Sequence, residues 1–185
     1  MRILKLFFAA FLVIAAVAVH KPDVSHAASA AAIDADARAT LNKFFDRVVN
    51  GRELANKAEA ILIFPSIVKA GIGIGGEYGE GVMHVRGQTS GYYNIIGASV
   101  GFQLGVQTRS VIIMFMTPAA LAGFQSRAGF KVGVDGSVAL ITVGAGGKAD
   151  TDNVLDPIIG FVFNNKGLMY NLTLEGSKIS RFNPN

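Results

Sequence analysis

The glycine-framed segment Gly97-Ala98-Ser99-Val100-Gly101 spaces its residues as a hydrolase nucleophile does. A serine in that setting works from a sharp turn between strand and helix, and passes its proton to a histidine that an acid orients. No histidine follows Ser99, and its flanks read as strand on both sides. Ser99 is therefore expected to alternate within a strand, without a catalytic role. A second pattern, Gly71-Ile72-Gly73-Ile74-Gly75-Gly76, has the spacing that cradles a dinucleotide. That use requires a helix opening directly after the glycines and a carboxylate about 20 residues on for the ribose. Glu77-Tyr78-Gly79-Glu80-Gly81 cannot open such a helix, and Ile96, with Asn94 close by, stands where the carboxylate should be. No cofactor is expected.

Metal chemistry finds equally little support. His20 and His26 lie in the N-terminal segment, which leaves His84 as the only later histidine, and the chain has no cysteine. A metal site would rest on carboxylates alone. Asp150, Asp152 and Asp156 form the one acidic cluster, but they lack the glycine and closing glutamate of a calcium loop, so a solvated loop is expected and no metal. His84, between Met83 and Val85, is read as meeting solvent or a core hydrogen bond. Asn171-Leu172-Thr173 is formally a glycosylation sequon, but it falls in an expected strand and carries no weight.

What remains is cationic. Lys69 stands just before the glycine ladder, and Arg86, Arg109 and Lys131 flank expected strand ends, so these four are candidates to gather around one phosphate. The alternative is that each is an ordinary surface charge. Lys43 and Arg47, one helical turn apart with Arg52 and Lys57 beyond, are placed to meet lipid headgroups while Phe44 and Phe45 insert at the interface. The competing reading has that apolar face covering a sheet, with the charges as its solvated side.

Positioning these residues falls to an α+β fold. Ile33, Ala37, Leu41, Phe44, Phe45 and Val48 recur at three- and four-residue steps, which predicts an amphipathic helix ending near Gly51. A second short helix, from about Arg52 to Ala60, leads into the apolar run Ile61 to Phe64, which Pro65 stops. All 22 glycines lie at Gly51 or later, many alternating with aliphatic residues at the period of a strand. Strands are expected near Val68 to Gly76, Val82 to Arg86, Tyr92 to Thr108, Val111 to Met116, Lys131 to Val143, Ile158 to Phe163 and Leu168 to Leu174. Turn signals at Gly79-Glu80-Gly81, Gly87 to Gly91, Gly146-Gly147 and Asn165-Lys166-Gly167 make the sheet mostly antiparallel. Thr117-Pro118 caps one short helix among the strands. So many glycines in strands imply tight curvature or close approach of another backbone or a ligand, hence a strongly curved, barrel-like sheet under N-terminal helices. The other reading is that they make room for bulky neighbours such as Phe102, Phe115, Phe130 and Phe161.

The N-terminus reads as a signal peptide, Met1 to Ala30: Arg2 and Lys5, the apolar run Leu6 to Val19, then Pro22 and Ala27-Ala28-Ser29-Ala30. Fourteen apolar residues fall short of the ~20 that cross a bilayer. Export to the periplasm or beyond is expected, with cleavage after Ala27 or Ala30 and no lipobox cysteine for an anchor. Residues 31–185 then form a single domain. Loss of Arg2, Lys5 and Lys21 against Asp23 lowers the net charge from +4 to +2, a weak pull toward anionic surfaces and too little to argue for nucleic acid.

The block Ile63-Phe64-Pro65-Ser66-Ile67-Val68-Lys69-Ala70 running into the Gly71 to Gly76 ladder, followed by Gly79-Glu80-Gly81-Val82-Met83, resembles the signature of the SYLF lipid-binding domain family. Ser99 to Gln107, Lys166-Gly167-Leu168-Met169-Tyr170 and Leu174-Glu175-Gly176-Ser177 are similar to its later blocks, so the resemblance runs from about Thr40 to Ile179. It implies binding to membrane phospholipids, phosphoinositides in eukaryotic members and actin in some fungal ones, and no agreed catalytic residues. This chain has no lysine-rich run for actin. The resemblance, with the export signal, points to a non-enzymatic protein that binds anionic phospholipid at the cell envelope. Lys69, inside the most diagnostic block, is the leading site residue. An envelope protein that holds a protein partner by its sheet edges or glycine-rich loops is the alternative. The oligomeric state is left open.

Overall fold

The computed structural model describes residues 28–143, 155–166 and 174–184. The expected leader up to Ala27, Asp150 and Asp152, the Gly146-Gly147 turn and the Asn171 sequon lie outside those residues.

Helix α1 (Ala30–Arg47) starts where the Ser29 side chain accepts the Ala32 backbone N–H at 3.3 Å, and it is alanine-rich through its first turns. Its buried stripe is Ile33, Ala37, Thr40 and Phe44, with Val48 just beyond its end also buried. A left-handed residue, Asn50 (φ 62°), then starts the short helix α2 (Gly51–Lys57).

Two long strands follow, β1 (Ala60–Val85) and β2 (Gln88–Phe115), of 26 and 28 residues. They pair antiparallel from Ala60 opposite Phe115 to Val85 opposite Gln88. The turn is Arg86-Gly87, both at positive φ (50° and 77°), as a two-residue hairpin turn that matches strand twist requires. Strands of this length survive by irregularity: the register shifts between Phe64 and Ile67, between Ile72 and Ile74, and between Met83 and His84. Pro65, unable to donate to a ladder, sits in the first shift.

The expected break at Gly79-Glu80-Gly81 does not occur, because β1 runs straight through it. Those glycines serve a crossing instead. β1 curls until its second half passes over its first, where a Cβ on Gly79 would stand 2.8 Å from the Ser66 carbonyl oxygen and one on Gly81 would overlap that of Ile63. Close backbone approach, one of the two readings of the glycines, is the reason at this point.

Beyond β2, the Thr117 hydroxyl accepts the Ala120 N–H at 3.2 Å to cap α3 (Pro118–Gln125), with proline in its first turn as expected. Then come β3 (Phe130–Lys131), β4 (Ala139–Thr142), β5 (Ile158–Lys166) and β6 (Lys178–Phe182). The expected strand Lys131 to Val143 is thus two separate pieces, and β6 was not expected. On the edge opposite β1, β2 carries both β5, along Thr108 to Phe115, and β6, along Tyr92 to Ile96. β3 extends β6, and β4 lies parallel to β5. The result is α+β, a strongly curled half-barrel that is antiparallel apart from the β4–β5 pair among the described strands.

Alternation sorts β1 and β2 into two faces. Leu62, Phe64, Ile67, Met83, Tyr93, Ile95, Val111, Ile113 and Phe115 fill the inside of the curl with Phe124 of α3 and Ile179 of β6. Ile63, Val82, Ile112 and Met114 point the other way and meet Ile33, Ala37, Phe44 and Val48, with Phe161 and Phe163 of β5. The Phe44 ring stands edge-on to Phe161 at 4.9 Å. Each large side chain buried fully this way contributes about 1.5–3 kcal/mol.

Candidate functional site

Three groupings of polar or exposed residues stand out from this frame. The first lies inside the curl. Lys69 faces Gln107 across the ladder and Ile67 faces Arg109, so the two cations are diagonal neighbours on the inner face. Both are buried, Lys69 at 5% and Arg109 at 1% exposure. Arg109 Nη2 donates to Glu77 Oε2 at 2.6 Å, and Ser177 Oγ donates to Glu77 Oε1 at 2.5 Å. The Ser110 hydroxyl donates to the Pro65 carbonyl at 2.7 Å, occupying an acceptor at the bulge. Burial lowers the pKa of the Arg109 guanidinium, and the Glu77 carboxylate opposes that shift. Glu77 is the one buried carboxylate among the described residues, against two buried cations.

The second grouping lies between α1 and the hairpin. The Tyr92 hydroxyl donates to Asp34 Oδ2 at 3.1 Å. His84 is half-buried nearby; burial pushes its pKa down, with the Asp34 charge raising it and the Arg38 charge lowering it. His84 thus lies at the seam between helix and sheet, within reach of the Asp34 and Arg38 charges.

The third is the outer face of the hairpin's middle, which α1 leaves uncovered. Val68, Ile74, Tyr78, Ile96 and Val106 are exposed there, Ile74 at 73% and Val106 at 65%. Register aligns Tyr78 with Ile96, Ile96 with Lys178 and Lys178 with Lys131, one row across β1, β2, β6 and β3. The two lysines face each other directly, an arrangement that costs stability unless an anion lies over it. Glu80 sits in the same face with both oxygens engaged, by the Tyr78 hydroxyl at 2.6 Å and the Ala28 N–H at 3.0 Å. Burial, then that hydrogen bond, pushes the Tyr78 phenol up to about 12.

The six expected site residues are therefore dispersed. Lys69 and Arg109 lie in the interior, whereas Arg86 is exposed at the hairpin turn and Lys131 on β3, so the four do not surround one phosphate. Lys43 and Arg47 are exposed on α1. Phe44 is fully buried, so it cannot insert into a membrane; α1's apolar stripe covers the sheet, as the competing reading held. Phe45 is half-buried under Arg52, whose guanidinium lies 4.4 Å from its ring centroid. Lys178 was missed because its strand was missed. Ser99 and the Gly71 to Gly76 ladder lie within continuous strands, which removes both the nucleophile turn and the dinucleotide turn. Among the described residues no three side chains cluster as metal ligands, and no helix is long and apolar enough to cross a membrane.

No curated protein matches the chain. Residues 96–183 match the family model described as Ysc84: Las17-binding protein actin regulator, a stretch running from the middle of β2 through β6. Over that stretch the chain is similar to the Ysc84 (SYLF) family of binding domains, the family its motifs resemble.

Proposed function

We propose that the protein is an exported, non-enzymatic binding module that docks on anionic phospholipid through the outer face of the β1–β2 hairpin. The observation that carries this is the uncovered apolar face of Val68, Ile74, Tyr78, Ile96 and Val106, continuous with Lys178 and Lys131. Apolar side chains enter the headgroup boundary and lysines meet lipid phosphates at its rim. Arg86 and the α1 cations Lys43 and Arg47 add general attraction, and the periplasm or cell surface is the site of action.

Co-sedimentation with phosphatidylglycerol or phosphatidylcholine vesicles tests this, at low and physiological salt. Selective, salt-sensitive binding to the anionic vesicles is expected. Each basic residue near such a surface contributes about 1 kcal/mol, so Lys131→Ala/Lys178→Ala should weaken partitioning about 30-fold. Equal binding by that variant, or none by the parent protein, refutes the assignment. A second reading, a protein partner added along a sheet edge, is favoured by β1, which pairs only with β2 among the described strands. Edge pairing would persist at high salt.

A further inference from the structure

On the inner side of the same strands is a pocket of about 260 Å³ lined by Tyr93, Phe124, Gln125, Arg127, Ile179 and Arg181. Tyr93 and Arg181 are directly opposed on β2 and β6, and Ile179 shares their face, the reverse of the one that bears Ile96 and Lys178. The floor is apolar and fixed. Phe124 and Ile179 are 3% and 2% exposed, and the Phe124 ring is held by Phe115, Tyr93 and Phe130 at centroid distances of 4.8, 5.3 and 5.3 Å.

The rim is built of hydrogen-bond donors with positive charge. Arg127 Nη1 is anchored by Asp135 at 3.1 Å, and Asp135 is itself held by the Lys131 N–H at 2.7 Å. Arg181 Nη2 donates to the Ser90 carbonyl at 3.1 Å. These bonds position two guanidinium forks while leaving N–H groups of each unspent. Gln125 Nε2 rests on Met83 Sδ at 3.9 Å. Tyr93 is 7% exposed and lines the pocket between Phe124 and Arg181. Arg181 stands directly opposite Tyr93 and both line the pocket; its charge lowers the phenol's pKa against the larger rise from burial.

We propose that this pocket binds a compact organic oxyanion, a carboxylate or phosphomonoester on a small apolar body. Its oxygens sit between Arg127 and Arg181 with the Tyr93 hydroxyl as a third donor, and its body rests on Phe124 and Ile179. Guanidinium forks match the geometry of both oxyanions. The volume admits a head and a short or planar body, so the acyl chains of a diacyl lipid would have to stay outside it. Because the pocket faces away from the lysine-bordered surface, it stands or falls separately from the membrane-docking reading.

The test is calorimetric titration of the protein with phenyl phosphate, benzoate and inorganic phosphate, alongside Tyr93→Phe and Arg181→Gln. The first two should bind at least tenfold more tightly than inorganic phosphate, because only they use the floor. Arg181→Gln should weaken them about tenfold and Tyr93→Phe about threefold, the latter with unchanged unfolding temperature. Displacement of phenyl phosphate by monomeric dihexanoyl phosphatidic acid would make the natural source a lipid headgroup. Failure to displace would make it a free metabolite, the oxyanion site standing in either case. No binding below about 10 mM, or binding that both variants leave unchanged, overturns the proposal.

Discussion

Replacing Glu77 with glutamine would remove Arg109's ion-pair partner and the one buried carboxylate among the described residues, with Lys69 also buried on that face. In the parent protein that carboxylate is held from both sides, by Arg109 at 2.6 Å and Ser177 at 2.5 Å, with the ion-pair side chains 1% and 6% exposed. Breaking a pair this deep by removing one partner costs about 3–5 kcal/mol, because the stranded charge keeps its desolvation penalty. The amide retains part of the contact to Ser177, so the lower end, about 3 kcal/mol, is the expectation for Glu77→Gln. That is about 1–2 M in urea midpoint and about 6–12 °C in Tm for a chain of this size. The chain has no tryptophan, so circular dichroism and tyrosine fluorescence are the probes. Two further variants isolate the cause. Glu77→Leu/Arg109→Met removes both charges and should lie within about 1 kcal/mol of the parent, and Lys69→Met should partly rescue Glu77→Gln. A Glu77→Gln shift under about 0.5 kcal/mol, or no rescue by either route, would refute the reasoning.

Gly81→Ala should cost about 3 kcal/mol by forcing the crossing strands apart, whereas Gly76→Ala, whose new methyl would meet nothing nearer than 3.7 Å, should be neutral or slightly stabilising; urea midpoints of the two check this. His84, with a folded-state pKa below its ordinary 6.5, takes up a proton less readily folded than unfolded. Stability should therefore be flat above that value and fall as pH drops through it, and His84→Gln should lose that part of the slope in thermal melts between about pH 5 and 8.

The sequence carried the helices and the sheet's curvature in plain form. Ile33, Ala37, Phe44 and Val48 keep helical period because one face of α1 is buried, and Thr117-Pro118 caps α3 because capping is local chemistry. The Gly79-Glu80-Gly81 misreading has a different origin. Glycine serves turns and close approaches equally, and what distinguishes them here is Ile63 to Ile67, a dozen or more residues earlier, folded back against it. The interior charges were obscured for a similar reason. Alternation puts Lys69 on the face of Ile67, but Glu77 and Ser177, which bring a carboxylate and a hydroxyl to that face, come from far along the chain. The pocket joins β2, α3 and β6 across some ninety residues, so no spacing pattern announces it.

β2 has consequences for how the protein is made. Its hairpin with β1 closes through a two-residue turn and is complete once Phe115 has been synthesised. Its second edge stays bare until β5 and β6, beginning at Ile158 and Lys178, arrive to cover it in tandem. In that interval the edge is an open template rich in Val, Ile and Met, able to recruit the same segment from a neighbouring nascent chain. The vulnerable species is therefore the chain stopped short of Ile158, and truncations there should yield aggregates rather than a smaller soluble domain.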